Sequence, residues 1–451
     1  MSSIIPKNCF DSEVEWEQQA FENSFQQAIP VSIRLNPNKL ADIDFDHNVP
    51  WANLGRFLKE RPTFTLDPLF HAGAYYVQEA SSMFLEQALK QHVDFSKSLK
   101  ILDLCAAPGG KSTLIAALLK DNDLLISNEV IQSRAGILVE NLTRWGQMNT
   151  WATQNDPADF GKLQNYFDVM VVDAPCSGSG LWRKDDKAID EWSVANVKLC
   201  KERQQRILAD VLPALKDDGL LIYSTCSYSN EENEELLDWL VDQFDLESLP
   251  LTVDNFQGIV STQSKNAKAY GYRFYPWRIE GEGFFIGALK KKSSNYNIQS
   301  NNNRPKLSKP SIAEQRAQHA FQDFLIPEYS IWNHKEMFYA MHPEHLELWL
   351  QLKEKLKFRK AGTALGQMMK EPIPEHDLAM SIHLKENLPK VTLEKEEALL
   401  YLKKESVAID RNLKGWQLAC FQGLPLGWGK WMPNRMNNYL PKNLRIRMSL
   451  E

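Results

Sequence analysis

The sequence lacks any uninterrupted apolar stretch of the roughly 18 residues that a membrane-spanning helix requires. Its first residues, MSSIIPKNCFDSEVEWEQQ, lack the apolar core of a secretory signal. Cysteine is scarce, with six residues scattered over 451 and no CxxC pair, which excludes a disulfide framework and gives no sign of zinc. We therefore expect a protein of the reducing cytoplasm, with no membrane partner and no metal.

An excess of basic residues is also lacking, because 52 Lys and Arg stand against 58 Asp and Glu, for a net charge of -6. That total argues against a strongly basic nucleic-acid coat. It hides an asymmetry, however, since residues 411–451 carry +6 and residues 1–410 carry -12. The total charge is therefore a poor guide to partners, and the basic C-terminal segment keeps RNA open as a partner.

The length exceeds the roughly 250 to 300 residues at which a single core stops growing, which predicts several domains. A segment rich in Lys, Ser, Asn and Pro, KKKSSNYNIQSNNNRPKLSKPS, is typical of a linker. We expect five parts: an α+β N-terminal domain over 1–95, a central domain over 96–291, a basic linker over 292–312, an intermediate region over 313–390, and a small β-rich domain over 391–451.

The central domain alternates strand and helix signals. LKILDLC, LLISNEV, NTWATQND, YFDVMVVDAPC and GLLIYSTCS read as strands, and helices are predicted between them. Near-continuous apolar strands indicate a sheet covered on both faces. The predicted fold is α/β, a doubly wound, mostly parallel, Rossmann-like sheet. In the N-terminal domain, Val31–Leu35 is predicted as a strand.

Ligands of such a sheet lie beyond the carboxyl ends of the strands. The loop after the first strand contains Cys105, Ala106, Ala107, Pro108, Gly109, Gly110, Lys111 and Ser112. Its glycines let a ligand approach the backbone, and the following helix offers free N–H groups. A phosphate-binding GxxxxGK loop is a weak rival, because Cys105 stands where that pattern requires glycine. A plain strand-to-helix turn is the other alternative.

Acidic residues lie at the ends of the next predicted strands, since Glu129 lies at the end of the second, Asp156 closes the third and Asp173 closes the fourth. Glu129 comes nineteen positions after Gly110, close to the spacing at which an acid binds a ribose diol. Each acid alone could equally be a helix N-cap or a solvated turn. Together they favour an adenosine cofactor without a polyphosphate, and we expect S-adenosyl-L-methionine.

Two cysteines, Cys176 and Cys226, follow the fourth and fifth strands in polar Ser- and Gly-rich loops. In this fold both strand ends can face one crevice, which places two thiols beside the cofactor. Ser229 and Glu232 fit a capping box, whose helix N-terminus would favour a thiolate. The remaining cysteines are interpreted as small buried hydrophobic residues.

A thiolate and an acid beside a methyl donor suit cytosine chemistry. C5 of cytosine becomes nucleophilic once a cysteine adds to C6, and Asp173 is placed to assist at N3 and the 4-amino group. The residues alone do not decide which of the two thiols is the nucleophile.

Three segments, DLCAAPGGKS, DAPCSGSG and STCSYSNEENE, resemble motifs of the NOL1/NOP2/Sun family of RNA cytosine-5 methyltransferases in their order and spacing. SIRLNP, HAGAYYVQEASSM and PWRIEGEGFFIGALKK extend the resemblance over residues 30–292. The tail GLPLGWGKWMPNRMNNYLPKNLRIR is similar to the C-terminal, PUA-like module of the bacterial F-type small-subunit ribosomal RNA methyltransferases.

The resemblance implies a class I S-adenosylmethionine methyltransferase and assigns roles. It makes Cys226 the nucleophile that attacks C6 and Cys176 the thiol that helps release the enzyme. It implies that residues Cys105 to Lys111 wrap the methionine part of the cofactor. Glu129 would hold the ribose, Asp156 the adenine, and Asp173 would lie between cofactor and base. Lys111 would also orient a carboxylate or the target nucleotide.

We therefore predict a cytidine methyltransferase, expected to be a monomer, that acts on 16S ribosomal RNA or the assembling small subunit. A transfer-RNA methyltransferase and a non-catalytic RNA-binding assembly factor remain alternatives. Aromatic residues in the C-terminal segment could stack on RNA, or they could form a small core beneath a solvated basic face. They are interleaved with basic residues; the aromatic set is Trp416, Phe421, Trp428, Trp431 and Tyr439.

Overall fold

The computed structural model describes residues 17–293, 310–327, 329–407, 413–432 and 435–449. Most of the expected linker (294–309) lies outside the described residues, as do Cys9 and Arg411. Across the described ranges, we find no helix with the length and apolar character needed to cross a membrane.

The N-terminal part is built on a four-stranded antiparallel sheet in the order β2-β3-β1-β4. The predicted strand β1, Val31–Leu35, is confirmed. The other strands and the helices are β2 His47–Asn48, β3 Gly55–Leu58, β4 Tyr75–Val77, α1 Gln18–Ser24, α2 Pro68–Ala72 and α3 Leu85–His92. Asp67 caps α2 by accepting the Leu69 N–H, and Gly73 ends it with a φ of 78°, where other residues are strained.

The five strands predicted for the central domain are parallel, as expected. They have the order β9-β8-β5-β6-β7 and form the centre of a ten-stranded sheet. They are β5 Lys100–Asp103, β6 Leu124–Asn128, β7 Thr150–Thr153, β8 Phe167–Asp173 and β9 Leu215–Thr225. Every residue of β6 and β7 is buried, as expected for strands of a sheet covered on both faces. The helices of this region are α4 Gly110–Ala116, α5 Gln132–Trp145, α6 Pro157–Gly161, α7 Asp186–Glu191, α8 Val194–Val211 and α9 Glu234–Gln243.

Antiparallel strands extend this sheet at both edges. Beyond β9 lie β10 Leu246–Leu249, β11 Val260–Gln263, β12 Tyr270–Phe274 and β13 Phe284–Lys291. Beyond β7 lies β16, Phe358–Lys360, a strand from the expected intermediate region. Two strands of another sheet precede it in the chain, β14 Ser330–His334 and β15 Met337–Met341. The intermediate region thus completes the central sheet.

The rest of the chain forms two further four-stranded sheets. The first joins β14 and β15 to β17 Thr363–Met368 and β18 Pro372–Pro374, with α10 Ile312–Gln322, α11 Pro343–Leu352 and α12 His376–Met380. The second contains β19 Lys390–Thr392, α13 Lys395–Leu402, β20 Gly415–Phe421, β21 Leu424–Met432 and β22 Arg435–Asn438. Single turns of 3-10 helix occur at Phe64–Leu66, Ser81–Phe84, Ser179–Leu181, Leu212–Ala214, Asn230–Glu232 and Lys442–Leu444.

One apolar core runs from the central sheet through the intermediate region into the C-terminal sheet. It includes Phe167 of β8, Phe321 of α10 and Trp428 of β21, all of which are buried. The opposite face of the sheet packs on the N-terminal part, through Phe84 and Ile101 among others. Burial of this continuous apolar surface fixes where the strand ends meet.

Candidate active site

The loop from Cys105 to Lys111 leaves β5 and enters α4. Gly109 precedes the helix with a φ of 117°, a conformation that favours glycine. Two side chains of α5 hold the loop: Arg134 donates to the Ala107 carbonyl at 2.7 Å, and Asn141 donates to the Pro108 carbonyl at 2.7 Å. The loop backbone is therefore held in place by the neighbouring helix.

A cavity of about 180 Å³ lies against this loop. Seven of the residues predicted for the site line it, namely Cys105, Ala106, Ala107, Pro108, Gly110, Lys111 and Asp173. The opposite wall comes from the N-terminal part and includes Tyr76, Gln78, Glu79 and Ser82. These four residues belong to the HAGAYYVQEASSM segment. The sequence resemblance included this segment but assigned no role to its residues. Glu129, Asp156, Cys176 and Cys226 do not line this cavity.

Asp103, at the end of β5, is a buried acid that sequence reasoning missed. Its Oδ2 accepts a hydrogen bond of 2.6 Å from the Ser112 hydroxyl, and its Oδ1 has no partner among the described residues. Burial raises the pKa of Asp103 to about 7, although the hydrogen bond from Ser112 and the charge of Lys111 oppose the shift. An acid within an otherwise apolar strand was the available signal.

Glu129 directly follows β6 and is buried. Its Oε1 accepts the Ile131 backbone N–H at 2.9 Å, and its Oε2 lies 3.5 Å from Nη1 of Arg134. The carboxylate is therefore held at the carboxyl end of its strand, where a ribose of a bound nucleoside is expected in this fold.

Asp156 does not close the third strand as the sequence suggested, because β7 ends at Thr153. Asp156 instead caps α6, with its Oδ1 accepting the Ala158 N–H at 3.1 Å. Pro157 starts that helix directly after it, and proline is favoured in the first helical turn. The carboxylate is about half exposed and lies 3.8 Å from Nη1 of Arg206.

Lys111 and Asp173 form an ion pair, with 2.7 Å between Nζ and Oδ2. Asp173 Oδ1 accepts a second hydrogen bond, of 2.8 Å, from the Ser224 hydroxyl. Burial alone would lower the pKa of Lys111, but the Asp173 carboxylate outweighs burial and raises it above its ordinary value. The Lys111 ammonium also lies 5.1 Å from the centre of the Phe284 ring. Lys111 is therefore a cation held at the carboxyl end of β8.

The thiols of Cys176 and Cys226 lie side by side, with their Sγ atoms 3.1 Å apart. The two cysteines follow adjacent parallel strands whose carboxyl ends are paired, because Asp173 of β8 lies opposite Ser224 of β9. The hydrogen bond between the thiols and burial raise the pKa of Cys176 well above its usual range. At this separation a proton can pass from one sulfur to the other.

The capping box predicted from Ser229 and Glu232 is wrong. The segment forms a single 3-10 turn without a side-chain cap, and the Ser229 hydroxyl has no partner within the described parts of the chain. Glu232 turns inward and accepts hydrogen bonds from Ser177, Ser227 and Gln204. Four donors, two from Ser177 and one each from Ser227 and Gln204, satisfy a buried carboxylate better than one local N–H would.

Most of the C-terminal aromatic residues are structural. Trp428 and Trp431 are buried, and Trp416 is half-buried between Lys430 and Tyr439. Tyr439 is exposed, as are Lys442, Arg445 and Arg447. Asn443 donates to Glu140 of α5, which brings this basic segment alongside the helix that holds the Cys105–Lys111 loop. The surface there combines one aromatic ring with several cations.

Comparisons with known proteins agree with this architecture. A family model described as 16S rRNA methyltransferase RsmB/F matches residues 90–290, the RsmF PUA domain matches 388–446, and the N-terminal domain of 16S rRNA methyltransferase RsmF matches 8–80. The ribosomal RNA small subunit methyltransferase F of Aeromonas salmonicida is 30% identical over 94% of this chain and 92% of its own length. That of Psychromonas ingrahamii is 32% identical over 88% and 85%.

A crystal structure of a methyltransferase homolog protein from Pyrococcus horikoshii superposes with a TM-score of 0.52 and 30% identity, covering 61% of this chain and 92% of the homolog. The fold and the site thus define a Rossmann-like methyltransferase with an N-terminal domain and a C-terminal PUA domain. The chain belongs to the 16S rRNA methyltransferase RsmB/F family, and it is an RNA methyltransferase, as the sequence predicted.

Proposed function

We propose that this protein methylates C5 of a cytidine in 16S ribosomal RNA and that Cys226 forms a covalent adduct with C6 of the base. The observation that carries the proposal is the pair of thiols with Sγ atoms 3.1 Å apart, beside the Lys111–Asp173 ion pair. Two thiols and a carboxylate at the carboxyl ends of adjacent strands suit the addition and elimination that this reaction requires.

S-adenosyl-L-methionine, the cofactor expected of this methyltransferase class, would supply the methyl group. The donor set fits it, because the cavity beside the Cys105–Lys111 loop offers backbone groups, and Lys111, its single basic side chain, already pairs with Asp173. A polyphosphate would find no free cation in that lining. In the proposal the residues Cys105 to Lys111 hold the methionine part, Glu129 the ribose and Asp156 the adenine.

Each protein group has one task in the proposed reaction. The Cys226 thiolate adds to C6, which makes C5 nucleophilic enough to accept the methyl group. Asp173 contacts N3 and the 4-amino group of the base, and Lys111 fixes the orientation of the Asp173 carboxylate. A base then takes the proton from C5, the electrons of that C–H bond re-form the C5–C6 double bond, and Cys226 leaves C6 as a thiolate. Cys176 assists this elimination from its position next to the leaving sulfur.

The substrate proposal rests on the relatives, which are named ribosomal RNA small subunit methyltransferases. A cytosine stacked in a helix cannot reach this crevice, so the target must be unpaired or flipped out at a cost of a few kcal/mol. We propose that Lys442, Arg445 and Arg447, the exposed cations of the segment that follows the C-terminal sheet, contact the RNA backbone. The domain limits given above, the monomeric state and the cytoplasmic location stay predictions.

Bisulfite mapping of RNA from a deletion strain tests the proposal. We expect one or a few cytidines of 16S ribosomal RNA to lose methylation, and a plasmid-borne copy of the gene should restore it. Loss confined to transfer RNA would favour the transfer-RNA alternative. Unchanged methylation in both RNAs would favour a non-catalytic assembly factor and would contradict the proposed function.

A further inference from the structure

Glu232 is a fully buried acid to which the proposed reaction gives no role. It ends the 3-10 turn Asn230–Glu232, six residues after the proposed nucleophile Cys226. A buried carboxylate is costly unless hydrogen bonds or charges compensate it. Its contacts therefore indicate what the charge stabilises.

Both carboxylate oxygens of Glu232 are fully engaged. Oε1 accepts the backbone N–H of Ser177 at 2.9 Å and Nε2 of Gln204 at 3.0 Å. Oε2 accepts the hydroxyl of Ser177 at 2.5 Å and the hydroxyl of Ser227 at 2.6 Å. Gln204, from α8, also donates to the Pro175 carbonyl at 3.1 Å, so the network includes both sides of Cys176.

These contacts bridge the two cysteine loops. Ser177 directly follows Cys176 and Ser227 directly follows Cys226, and a single oxygen of Glu232 accepts from both hydroxyls. The sheet ladder between β8 and β9 ends at the pair Asp173 and Ser224. Beyond that pair, backbone hydrogen bonds run from Ala174 N–H to the Ser224 carbonyl and from Gly180 N–H to the Cys226 carbonyl, and Ser179 Oγ accepts the Tyr228 N–H. Next to the sulfurs, the Ser177 and Ser227 hydroxyls lie 3.2 Å apart, and the Glu232 carboxylate accepts from both of them.

We propose that Glu232 is a positioning residue that holds the Cys176 and Cys226 side chains at reacting distance by clamping Ser177 and Ser227. A role of this clamp in methyl transfer rests on the proposed function, whereas its effect on the positions of the two thiols does not. A second consequence is electrostatic: the Glu232 charge adds to the hydrogen bond with Cys226 and to burial in raising the pKa of Cys176. The clamp therefore also favours the protonated form of Cys176.

Oxidative cross-linking of the full-length protein tests the geometry independently of catalysis. Diamide removes the two thiol hydrogens and is itself reduced to the hydrazine, which leaves a disulfide between Cys176 and Cys226 that peptide mass spectrometry identifies. Misplacement by about 1 Å can cost a reaction on the order of 100-fold, so Glu232→Ala should slow cross-linking by about 10- to 100-fold. Glu235→Ala is the matched control, because Glu235 lies three residues after Glu232, is exposed and pairs with Lys201 of α8. This variant should cross-link at the wild-type rate.

Ser177→Ala/Ser227→Ala keeps the carboxylate but removes both hydroxyl contacts, and it decides the matter if Glu232→Ala does not fold. Slower cross-linking in a folded variant with unchanged affinity for S-adenosyl-L-methionine supports the clamp. A wild-type rate overturns it, whatever the methylation assay shows. Glu232→Gln should also shift the pH profile of Cys176 alkylation to lower pH, because it removes a buried negative charge; an unshifted profile overturns the electrostatic part.

Discussion

The Sγ atoms of Cys176 and Cys226 lie 3.1 Å apart, although fifty positions separate the two residues in the chain. Two adjacent parallel strands bring them together, and Glu232 links the residues that follow them. Close to these sulfurs, Lys111 and Asp173 form an ion pair that ties the cofactor loop to the end of β8. The following expectations come from these contacts.

Lys111→Ala should reduce methyl transfer strongly, because it leaves Asp173 without the cation that orients its carboxylate. Groups that act on a proton in the transition state typically contribute on the order of 100- to 10,000-fold, and we expect a loss at the lower end of that range. Lys111→Arg keeps the charge and should lose less. Steady-state transfer of labelled methyl groups to 16S ribosomal RNA measures both variants, and an unimpaired Lys111→Ala enzyme would contradict the role.

Glu129→Ala should weaken binding of S-adenosyl-L-methionine. A hydrogen bond to a charged group contributes roughly 1.5 to 3 kcal/mol, which corresponds to about a 10- to 100-fold rise in the dissociation constant. Isothermal titration calorimetry measures this directly. Glu202→Ala, an exposed acid of α8, is the control and should bind the cofactor like the wild type. Equal affinity in the Glu129 variant would remove the residue from the proposed cofactor site.

Stability should fall as pH rises from about 4 to 7, because Asp103 has a raised pKa of about 7 in the folded chain and ionises near 4 when unfolded. Over this window the unfolded state releases a proton that the folded state retains, at a cost of up to about 4 kcal/mol. Asp103→Asn should show a smaller fall; part of the fall should remain, because burial also raises the pKa of Glu282 to about 7. Urea unfolding at pH 5 and pH 8 measures the difference, and parallel pH profiles would contradict the assignment.

The triple variant Lys442→Ala, Arg445→Ala, Arg447→Ala should bind RNA with a weaker dependence on salt. Each lost phosphate contact lowers the magnitude of the slope of log K against log salt by about 0.7 for a single-stranded nucleic acid. Point substitutions are preferable to deletion of residues 391–451, because the deletion would remove Trp428 from the core shared with the central sheet and expose apolar residues that pack against it, such as Phe324. A slope equal to that of the wild type would show that this surface does not contact the RNA backbone.

The sequence was informative wherever a pattern is local. Strands β5 to β9 were each predicted, because the buried part of each is rich in apolar or β-branched residues, as a covered parallel sheet requires. Pairing across long separations was not predictable, as in β16, where three residues add to β7 from about two hundred positions away. A strand so short carries no periodicity of its own.

The Ser229–Glu232 pattern misled for a related reason. Its spacing matches a capping box. The hydrogen bonds of a buried carboxylate, however, depend on the donors that the fold brings near it, which are here Ser177, Ser227 and Gln204. The structure likewise shows that Asp156 caps a helix, an alternative that the sequence left open. Its proposed contact with adenine remains to be tested.

The most direct test of the proposed mechanism is trapping of the covalent protein–RNA adduct. Wild-type protein, Cys226→Ala and Cys176→Ala would each be incubated with 16S ribosomal RNA and S-adenosyl-L-methionine and then resolved on a denaturing gel. We predict that Cys176→Ala accumulates a stable protein–RNA complex and that Cys226→Ala forms none. Accumulation in Cys226→Ala with none in Cys176→Ala would contradict the account by exchanging the roles of the two thiols.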